Sequence, residues 1–267
     1  KIESVIEYID PDEQNMSLIA MYAKDLKLDI DSEIKHYTHV EIEPSTIFGI
    51  MASCIPFPEK NQSPRNTYQC AMGKQSMGMY VTNFDTRLDK TAYVLSYPHR
   101  PLVDTRIMNM LNLNKIPSGF PVIVAIKSDT GYNQEDSIQF NEASVRRGLF
   151  QATIYHTEKD EDKKVQGDDE IRCKPDPNKT KGIKFANYEK LNDQGVIPEN
   201  TLLENRDIIM GKVVPIKEHK NDQTKLIKYQ DQSRCFRTSE ECYVDTNYIS
   251  RNGDGYTAVS YTHLRAH

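Results

Sequence analysis

The sequence contains no tryptophan, no Cys-x-x-Cys pair and no apolar run approaching the length of a membrane span. A transmembrane helix needs about 20 consecutive apolar residues, so none is expected. No charged-then-apolar secretory leader precedes the first acidic residues either. The five cysteines, Cys54, Cys70, Cys173, Cys235 and Cys242, are scattered and odd in number. That pattern argues against a zinc ribbon or disulfide framework and for a reducing compartment. Hydrophobic residues fill 37% of 267 positions. So polar a chain can build local cores, but it suits a place inside a larger assembly. Because it begins at Lys1 rather than Met, the chain is expected to be a fragment or a processed product.

A further absence is local. No acidic residue occurs from Lys60 to Phe84, although residues 1–45 carry 11 acids against 4 lysines and the whole chain has a net charge of -5. Such a balance excludes a protein coated in nucleic acid over its whole surface. It leaves room for one basic cleft that meets phosphate, with the acidic parts facing solvent or protein partners.

The acid-free stretch is also the most informative one: Asn61-Gln62-Ser63-Pro64-Arg65-Asn66-Thr67-Tyr68-Gln69-Cys70-Ala71-Met72-Gly73-Lys74-Gln75. Ser63-Pro64 predicts a helix start, with Ser63 as N-cap and Pro64 at the first helical position. At about 100° per residue, Arg65, Tyr68, Gln69, Met72, Gln75 and Ser76 share one side, and Lys74 falls opposite with Thr67 and Cys70. Polar, aromatic and cationic groups thus stand where an ordinary amphipathic helix would carry leucine. Downstream, Gly131-Tyr132-Asn133-Gln134-Glu135-Asp136-Ser137 sets two carboxylates at the tip of a tight turn. Cations for phosphates and carboxylates for a magnesium ion are the groups that phosphoryl or nucleotidyl transfer requires.

Elsewhere the patterning predicts short elements. Strands are expected at residues 1–8, 39–43, 80–83, 92–95 and 149–155, with a turn at 10–13 and a loop over 22–35. The apolar run Val122-Ile123-Val124-Ala125-Ile126 predicts a strand buried on both faces, and Ile138 with Phe140 a returning strand. Asn141 should cap a short helix that Gly148 closes. The charge-dense residues 157–170 read as an exposed loop. Asn252-Gly253-Asp254-Gly255 is a hairpin signal. The fold class is mixed α+β and β-rich, with a change of texture near residue 151.

These motifs resemble the second-largest subunit of multisubunit DNA-directed RNA polymerases, of the eukaryotic RNA polymerase II type or its large-DNA-virus homologue. The likeness begins at Val5-Ile6-Glu7-Tyr8-Ile9-Asp10. It runs through Thr38-His39-Val40-Glu41-Ile42-Glu43-Pro44-Ser45, the 61–75 motif, Tyr97-Pro98-His99-Arg100-Pro101-Leu102 and the 131–137 turn. It continues through Ser144-Val145-Arg146-Arg147-Gly148-Leu149-Phe150 and Tyr188-Glu189-Lys190-Leu191-Asn192-Asp193-Gln194-Gly195 to Asp207-Ile208-Ile209-Met210-Gly211-Lys212. Cys70 is closer to the polymerase III or viral form.

The resemblance implies the end of an external domain over 1–49, a hybrid-binding domain over 50–151 and a partial wall or flap over 152–259. It implies that Arg65 reaches the phosphates of an incoming nucleotide, with Tyr68 and Gln75 near the nucleotide and the RNA–DNA hybrid. Lys74 joins them as a nucleotide- or hybrid-binding candidate, with a plain surface lysine as its alternative. Glu135 and Asp136 would help to hold the second, exchangeable Mg2+ that arrives with substrate. Implied partners are the largest subunit, which holds the permanent ion, the other polymerase subunits, template DNA, the RNA–DNA hybrid and nucleoside triphosphates. Membrane is not among them. The expected place of action is the nucleus or, for a viral enzyme, a cytoplasmic factory or the virion.

The resemblance also has gaps. The family's basic stretch and Gly-Asp-Lys segment are absent, and residues 260–267 have no counterpart in it. That tail is expected to be a translated cloning or sequencing artefact without function. The isolated fragment should be inactive. Two alternatives stay open: a non-catalytic scaffold paralogue, and an independent magnesium-dependent phosphohydrolase needing further carboxylates. His39, His99, Met72, Met77 and Met79 read as structural, and Asp85 and Asp89 as a loop or helix-surface pair rather than a permanent metal site. The polymerase reading also requires Arg65 and the acidic turn to converge on one triphosphate-sized space.

Overall fold

The computed structural model describes residues 5–30, 37–165, 168–216, 227–238, 240–251 and 258–266. Two compact units emerge: Lys1–Gln75 with Val103–Asn112, and Ser76–Leu102 with Leu113–His267. Helices are few and short and strands are many, as expected for a mixed α+β chain rich in β structure. No helix of the described residues is long and apolar enough to cross a membrane.

In the first unit, Asp10 caps α1 (Pro11–Met16) by accepting the Glu13 N–H at 2.7 Å. Pro11 opens that helix, and Asp12 and Glu13 sit favourably at the positive end of its dipole. The expected turn at 10–13 is therefore a helix start. Of the strand expected over residues 1–8, residues 1–4 lie outside the described residues and 5–8 form no strand: Val5 and Tyr8 are almost fully exposed, with no neighbouring strand among the described residues to satisfy an extended backbone. Two short strands, β1 (Ile19–Ala20) and β2 (His39–Val40), pair in parallel. In place of a loop over 22–35, Ala23–Ile30 makes a 3-10 helix, and residues 31–36 lie outside the described residues.

Helix α2 (Ile50–Ser53) packs against α3 (Ser63–Gly73) and α4 (Arg106–Met110). Asn66, Cys70 and Gly73, spaced four and three residues apart, form the half-buried stripe of α3. Gly73 lies close against α2, where an added Cβ would meet the terminal methyl of the Met51 side chain at 2.7 Å.

The second unit contains β3 (Thr91–Leu95), α5 (Glu142–Arg146), β4 (Ala152–Glu161), β5 (Lys164–Val165), β6 (Asp168–Asp169), β7 (Ile171–Arg172) and β8 (Thr180–Lys181). It continues with β9 (Leu202–Leu203), β10 (Ile208–Met210), β11 (Lys212–Pro215), β12 (Tyr229–Asp231), β13 (Arg234–Cys235), β14 (Cys242–Arg251) and β15 (Ala258–Ala266). One sheet runs β3-β4-β15-β14-β9, a second β7-β11-β12-β8, and two-stranded pieces join β10 to β13 and β5 to β6. The hairpin expected near residue 250 exists as the antiparallel β14–β15 pair, with Arg251 opposite Ala258. Its Asn-Gly-Asp-Gly turn lies outside the described residues. Most of the tail set apart above belongs to β15 and also pairs with β4.

Ile197, Leu203, Ile209, Met210, Cys242 and Val244 form the core, with Phe236 packed against it. Fully burying such side chains contributes roughly 1.5–3 kcal/mol each. Asn141 caps α5 by accepting the Ser144 N–H at 3.1 Å, and Gly148 follows at φ +112°, as the sequence indicates.

Other strand expectations fail. Residues 122–126 form no strand and are exposed, with Ile123 and Ile126 fully so. An apolar run becomes a buried strand only when neighbours cover both faces and satisfy its backbone. Residues 80–83 and the segment holding Ile138 and Phe140 also lack strand pairing. Phe140 instead stacks edge-on against Phe150, at 5.0 Å between ring centroids.

The described residues of 157–170 are not an exposed loop. They begin with the second half of β4, and Thr157 and Asp162 are buried. The charges survive burial by pairing: Arg172 bridges Asp160 and Asp162, and Lys212 bridges Asp160 at 3.0 Å and Glu170 at 2.9 Å. Burial outweighs the neighbouring Arg172 cation and raises the pKa of Asp162.

Candidate functional site

The helix carrying Arg65 begins one residue earlier than its sequence suggests. Gln62 is the N-cap without a side-chain cap bond, Ser63 is the first helical residue and Pro64 the second. The entry is held instead by Asn66, whose amide donates to the Pro58 carbonyl at 2.9 Å and whose oxygen accepts from Asn61 at 3.1 Å. These bonds explain why two asparagines flank Ser63-Pro64.

Opposite the stripe facing α2, α3 presents Arg65, Tyr68, Gln69 and Met72 to solvent. The Arg65 guanidinium lies 5.7 Å from the centroid of the Tyr68 ring. Arg65 makes no ion pair among the described residues, so its donors remain available. Helix α3 ends at Gly73: Lys74 is its C-cap, and Gln75 and Ser76 lie beyond it. Gln75 therefore does not extend the Arg65 face as helical spacing predicts. Lys74 and Gln75 are both exposed. Met72 and Met77, expected to pack, are more than half exposed.

The acidic pair belongs to the second unit. The Ser137 N–H donates to the Gln134 carbonyl at 3.1 Å, leaving Glu135 and Asp136 as the central residues of a tight turn. Both are exposed, and Glu135 adopts φ +55°, in the left-handed region. Such a conformation is uncommon for a residue with a side chain and is held by its surroundings. The preceding segment supplies that support. Asn133 donates to the Lys127 carbonyl and accepts the Asp129 N–H, Gly131 has φ +78°, and the Tyr132 N–H reaches the Asp129 carbonyl at 3.0 Å.

The turn therefore displays two neighbouring carboxylates, as expected. Mg2+ is commonly held by one or two protein carboxylates plus substrate phosphates, and this donor set fits that mode. Among the described residues no group of three or more His, Cys, Asp or Glu side chains could hold a metal ion by itself. The structure brings Arg65 and Tyr68 together on one helix, and Glu135 and Asp136 together on one turn. The helix and the turn belong to different units.

The residues read as structural behave differently from these. His39 pairs with Glu7 at 3.1 Å. Asp89 accepts from Arg87 and from the Tyr80 hydroxyl, so it does not face solvent as an open ligand. Sequence reasoning missed a further cluster of cations, Lys184, Lys212, Arg234 and Arg237, that lines a pocket in the second unit. Spread over 54 positions of a mixed-charge region, they carry no periodic signal.

Comparison with known proteins gives matches along almost the whole chain. A family model described as RNA polymerase Rpb2, domain 6, covers residues 51–266, and one for RNA polymerase Rpb2, domain 5, covers residues 2–44. DNA-directed RNA polymerase II subunit 2 of Arabidopsis thaliana is 43% identical over 95% of this chain and 22% of its own length. RPB2 of RNA polymerase II from Encephalitozoon cuniculi is 44% identical over 94% of the chain and 22% of its own length. The Rpo2 subunit of DNA-directed RNA polymerase from Sulfolobus acidocaldarius is 39% identical over 95% and 22%. The chain thus spans about a fifth of the length of these relatives.

Proposed function

Since this chain belongs to the Rpb2 family, the second-largest subunits of DNA-directed RNA polymerases, we propose that it contributes nucleotide-phosphate, second-magnesium and RNA–DNA hybrid contacts to template-directed RNA synthesis. The reaction is attack of an RNA 3′-hydroxyl on the α-phosphorus of a nucleoside triphosphate, with pyrophosphate leaving. The observation that carries the reading is the exposed Arg65–Tyr68 pair on a helix face without acids.

Arg65 would hold triphosphate oxygens through its planar fork of donors. Tyr68 and Gln75 would line the nucleotide and the hybrid, and Lys74 would add a cation to the same strand path. Glu135 and Asp136 would hold Mg2+, which when bound offsets charge developing on the phosphates. The permanent ion would belong to the largest subunit. In this reading residues 1–49 close an external domain, 50–151 form the hybrid-binding domain and 152–259 are part of the wall. Further polypeptide of the longer protein would cover the exposed apolar run at 122–126. In a eukaryotic cell the site of action would be the nucleus.

The test uses the complete subunit assembled into polymerase. Replacing both Glu135 and Asp136 by alanine should raise the Mg2+ concentration needed for nucleotide addition and lower the maximal rate. An unchanged Mg2+ dependence would overturn the metal assignment. Nucleoside-triphosphate hydrolysis by the 267-residue chain alone would favour the phosphohydrolase alternative.

A further inference from the structure

A polar cavity of about 390 Å³ opens beside β13, and none of its lining residues is used in the nucleotide reading above. Four separate segments build it: Asp160 near the end of β4, Lys184 after β8, Lys212 at the start of β11, and residues 232–237 around β13. Four cations line the cavity against a single carboxylate.

That carboxylate is already engaged. Asp160 is held by Lys212 at 3.0 Å and by Arg172 at 3.3 Å, and Lys212 is further occupied by Glu170. The remaining cations are not saturated. Arg234 uses Nη1 to reach Glu158 at 2.8 Å and the Lys159 carbonyl at 2.9 Å, and its other nitrogens make no bond among the described residues. Lys184 donates to the Ser233 carbonyl, a single bond for an ammonium with three donors. Arg237 is exposed and makes no ion pair among the described residues.

The framework beneath is fixed. Ser233 is 1% exposed, its hydroxyl and N–H both donate to Asp231, and the Lys212 N–H donates to its oxygen at 3.2 Å. Spare donors from Lys184, Arg234 and Arg237, with Gln232 alongside, line one cavity whose acid is already neutralised.

We propose that this cavity binds a phosphate group, presented either by a nucleic-acid strand or by a small polyphosphate. Guanidinium forks match phosphate oxygens in pairs, and an ammonium adds a compact charge between them. Two cations without a carboxylate partner among the described residues, Lys184 and Arg237, together with the unused guanidinium nitrogens of Arg234, exceed what one carboxylate ligand would balance, so the multiply charged oxyanion is the better fit. The assignment is independent of Arg65 and stands or falls separately from it.

The experiment uses the 267-residue chain with two probes, a short fluorescein-labelled oligothymidylate followed by anisotropy and sodium tripolyphosphate followed by calorimetry. Lys184→Gln with Arg237→Gln should weaken binding of the recognised probe about tenfold or more. For the single strand it should also flatten the salt dependence by about 1.4 log units per log unit of salt, the loss expected for two phosphate contacts. Arg237→Gln alone, at an exposed residue without an ion-pair partner, should lower affinity in the same direction, and Arg237→Lys should restore part of it.

Loss confined to the oligonucleotide assigns the site to a strand, whereas direct tripolyphosphate binding that the double variant loses assigns it to a small polyphosphate. Equal binding by parent and both variants, or no binding of either probe by the parent, overturns the proposal.

Discussion

The guanidinium of Arg65 stands 5.7 Å from the ring centroid of Tyr68, three residues on along α3, and both side chains face solvent. A cation held over an aromatic face at an exposed site gains about 0.5–1 kcal/mol. The ring therefore orients a group that has no other partner among the described residues.

From this pair we expect Arg65→Ala to lower nucleotide addition by the assembled polymerase roughly 10²–10³-fold, the scale for losing one donor to developing phosphate charge. Tyr68→Ala should lower it about 2–5-fold, and Tyr68→Phe, which keeps the ring, should change little. The melting temperature should hardly move, because exposed substitutions usually stay within about 0.5 kcal/mol. Single-nucleotide extension assays with a melting curve for each variant check all three. A wild-type rate for Arg65→Ala would remove the nucleotide reading.

A second prediction concerns Asp207 and Lys190, whose charged groups meet at 2.6 Å with Asp207 1% exposed. Asp207 also accepts the Glu204 N–H at 2.8 Å and the Asn187 amide at 3.1 Å, and Lys190 donates to the Leu202 carbonyl at 2.8 Å. Asp207→Ala strips an acceptor from three donors at once and leaves a half-buried ammonium with only the more distant, exposed Glu204 carboxylate at 3.8 Å. Urea unfolding should show a loss of about 3–5 kcal/mol. A loss under 1 kcal/mol would mean that the pair does not hold this part of the fold.

How much was legible depends on whether the cause was local. The Asp10-Pro11 cap, the Asn141 cap of α5 and the β14–β15 hairpin are each set by neighbouring residues. The caps and the hairpin can be anticipated because backbone donors and turn geometry act within a few positions, although Asp10-Pro11 alone signals a turn as readily as a helix start. The exposure of residues 122–126 could not be anticipated, since burial of an apolar run depends on partners distant in sequence. Residues 157–170 misled for the converse reason. Their acids are a loop signal in isolation but are buried by Arg172 and Lys212 from later strands. At the candidate site, the exposure of Arg65 and the acidic turn followed from local pattern. The cationic cavity did not, because its four segments meet only through the fold.

Two glycines provide a third, paired prediction. A Cβ on Gly211 would lie 2.5 Å from the Cys173 carbonyl oxygen and 2.9 Å from Leu191, and backbone cannot yield as a flexible side chain can. Gly182 has open space around it but adopts φ +76°, where an alanine pays only local strain. Gly211→Ala should therefore destabilise by about 1–3 kcal/mol or more through overpacking, and Gly182→Ala by roughly 1–2 kcal/mol. Thermal unfolding of the two variants side by side checks the order. A more severe effect at Gly182 would contradict the close approach of residues 173 and 211.

The last prediction concerns alkaline pH. The Tyr80 hydroxyl donates to Asp89 at 2.5 Å, beside Arg87, whose Nε donates to the same carboxylate at 2.8 Å. Burial first, and then the bond to Asp89, push the Tyr80 pKa up to about 12 from an ordinary value near 10. The folded state holds this proton more tightly than the unfolded chain does. Its contribution to stability is therefore complete below pH 10 and is lost as pH rises from about 10 to about 12. Tyr80→Phe removes the titrating group, so its stability should fall less steeply over that window than the parent's. Tyr188, whose hydroxyl donates to Asp231 at 2.7 Å, is likewise shifted upward, chiefly by burial, and is common to parent and variant. The difference between parent and Tyr80→Phe thus isolates one residue. Urea midpoints at stepped pH, with tyrosinate absorbance recorded in parallel, provide the measurement, and superimposable curves would show that the Tyr80–Asp89 bond contributes nothing.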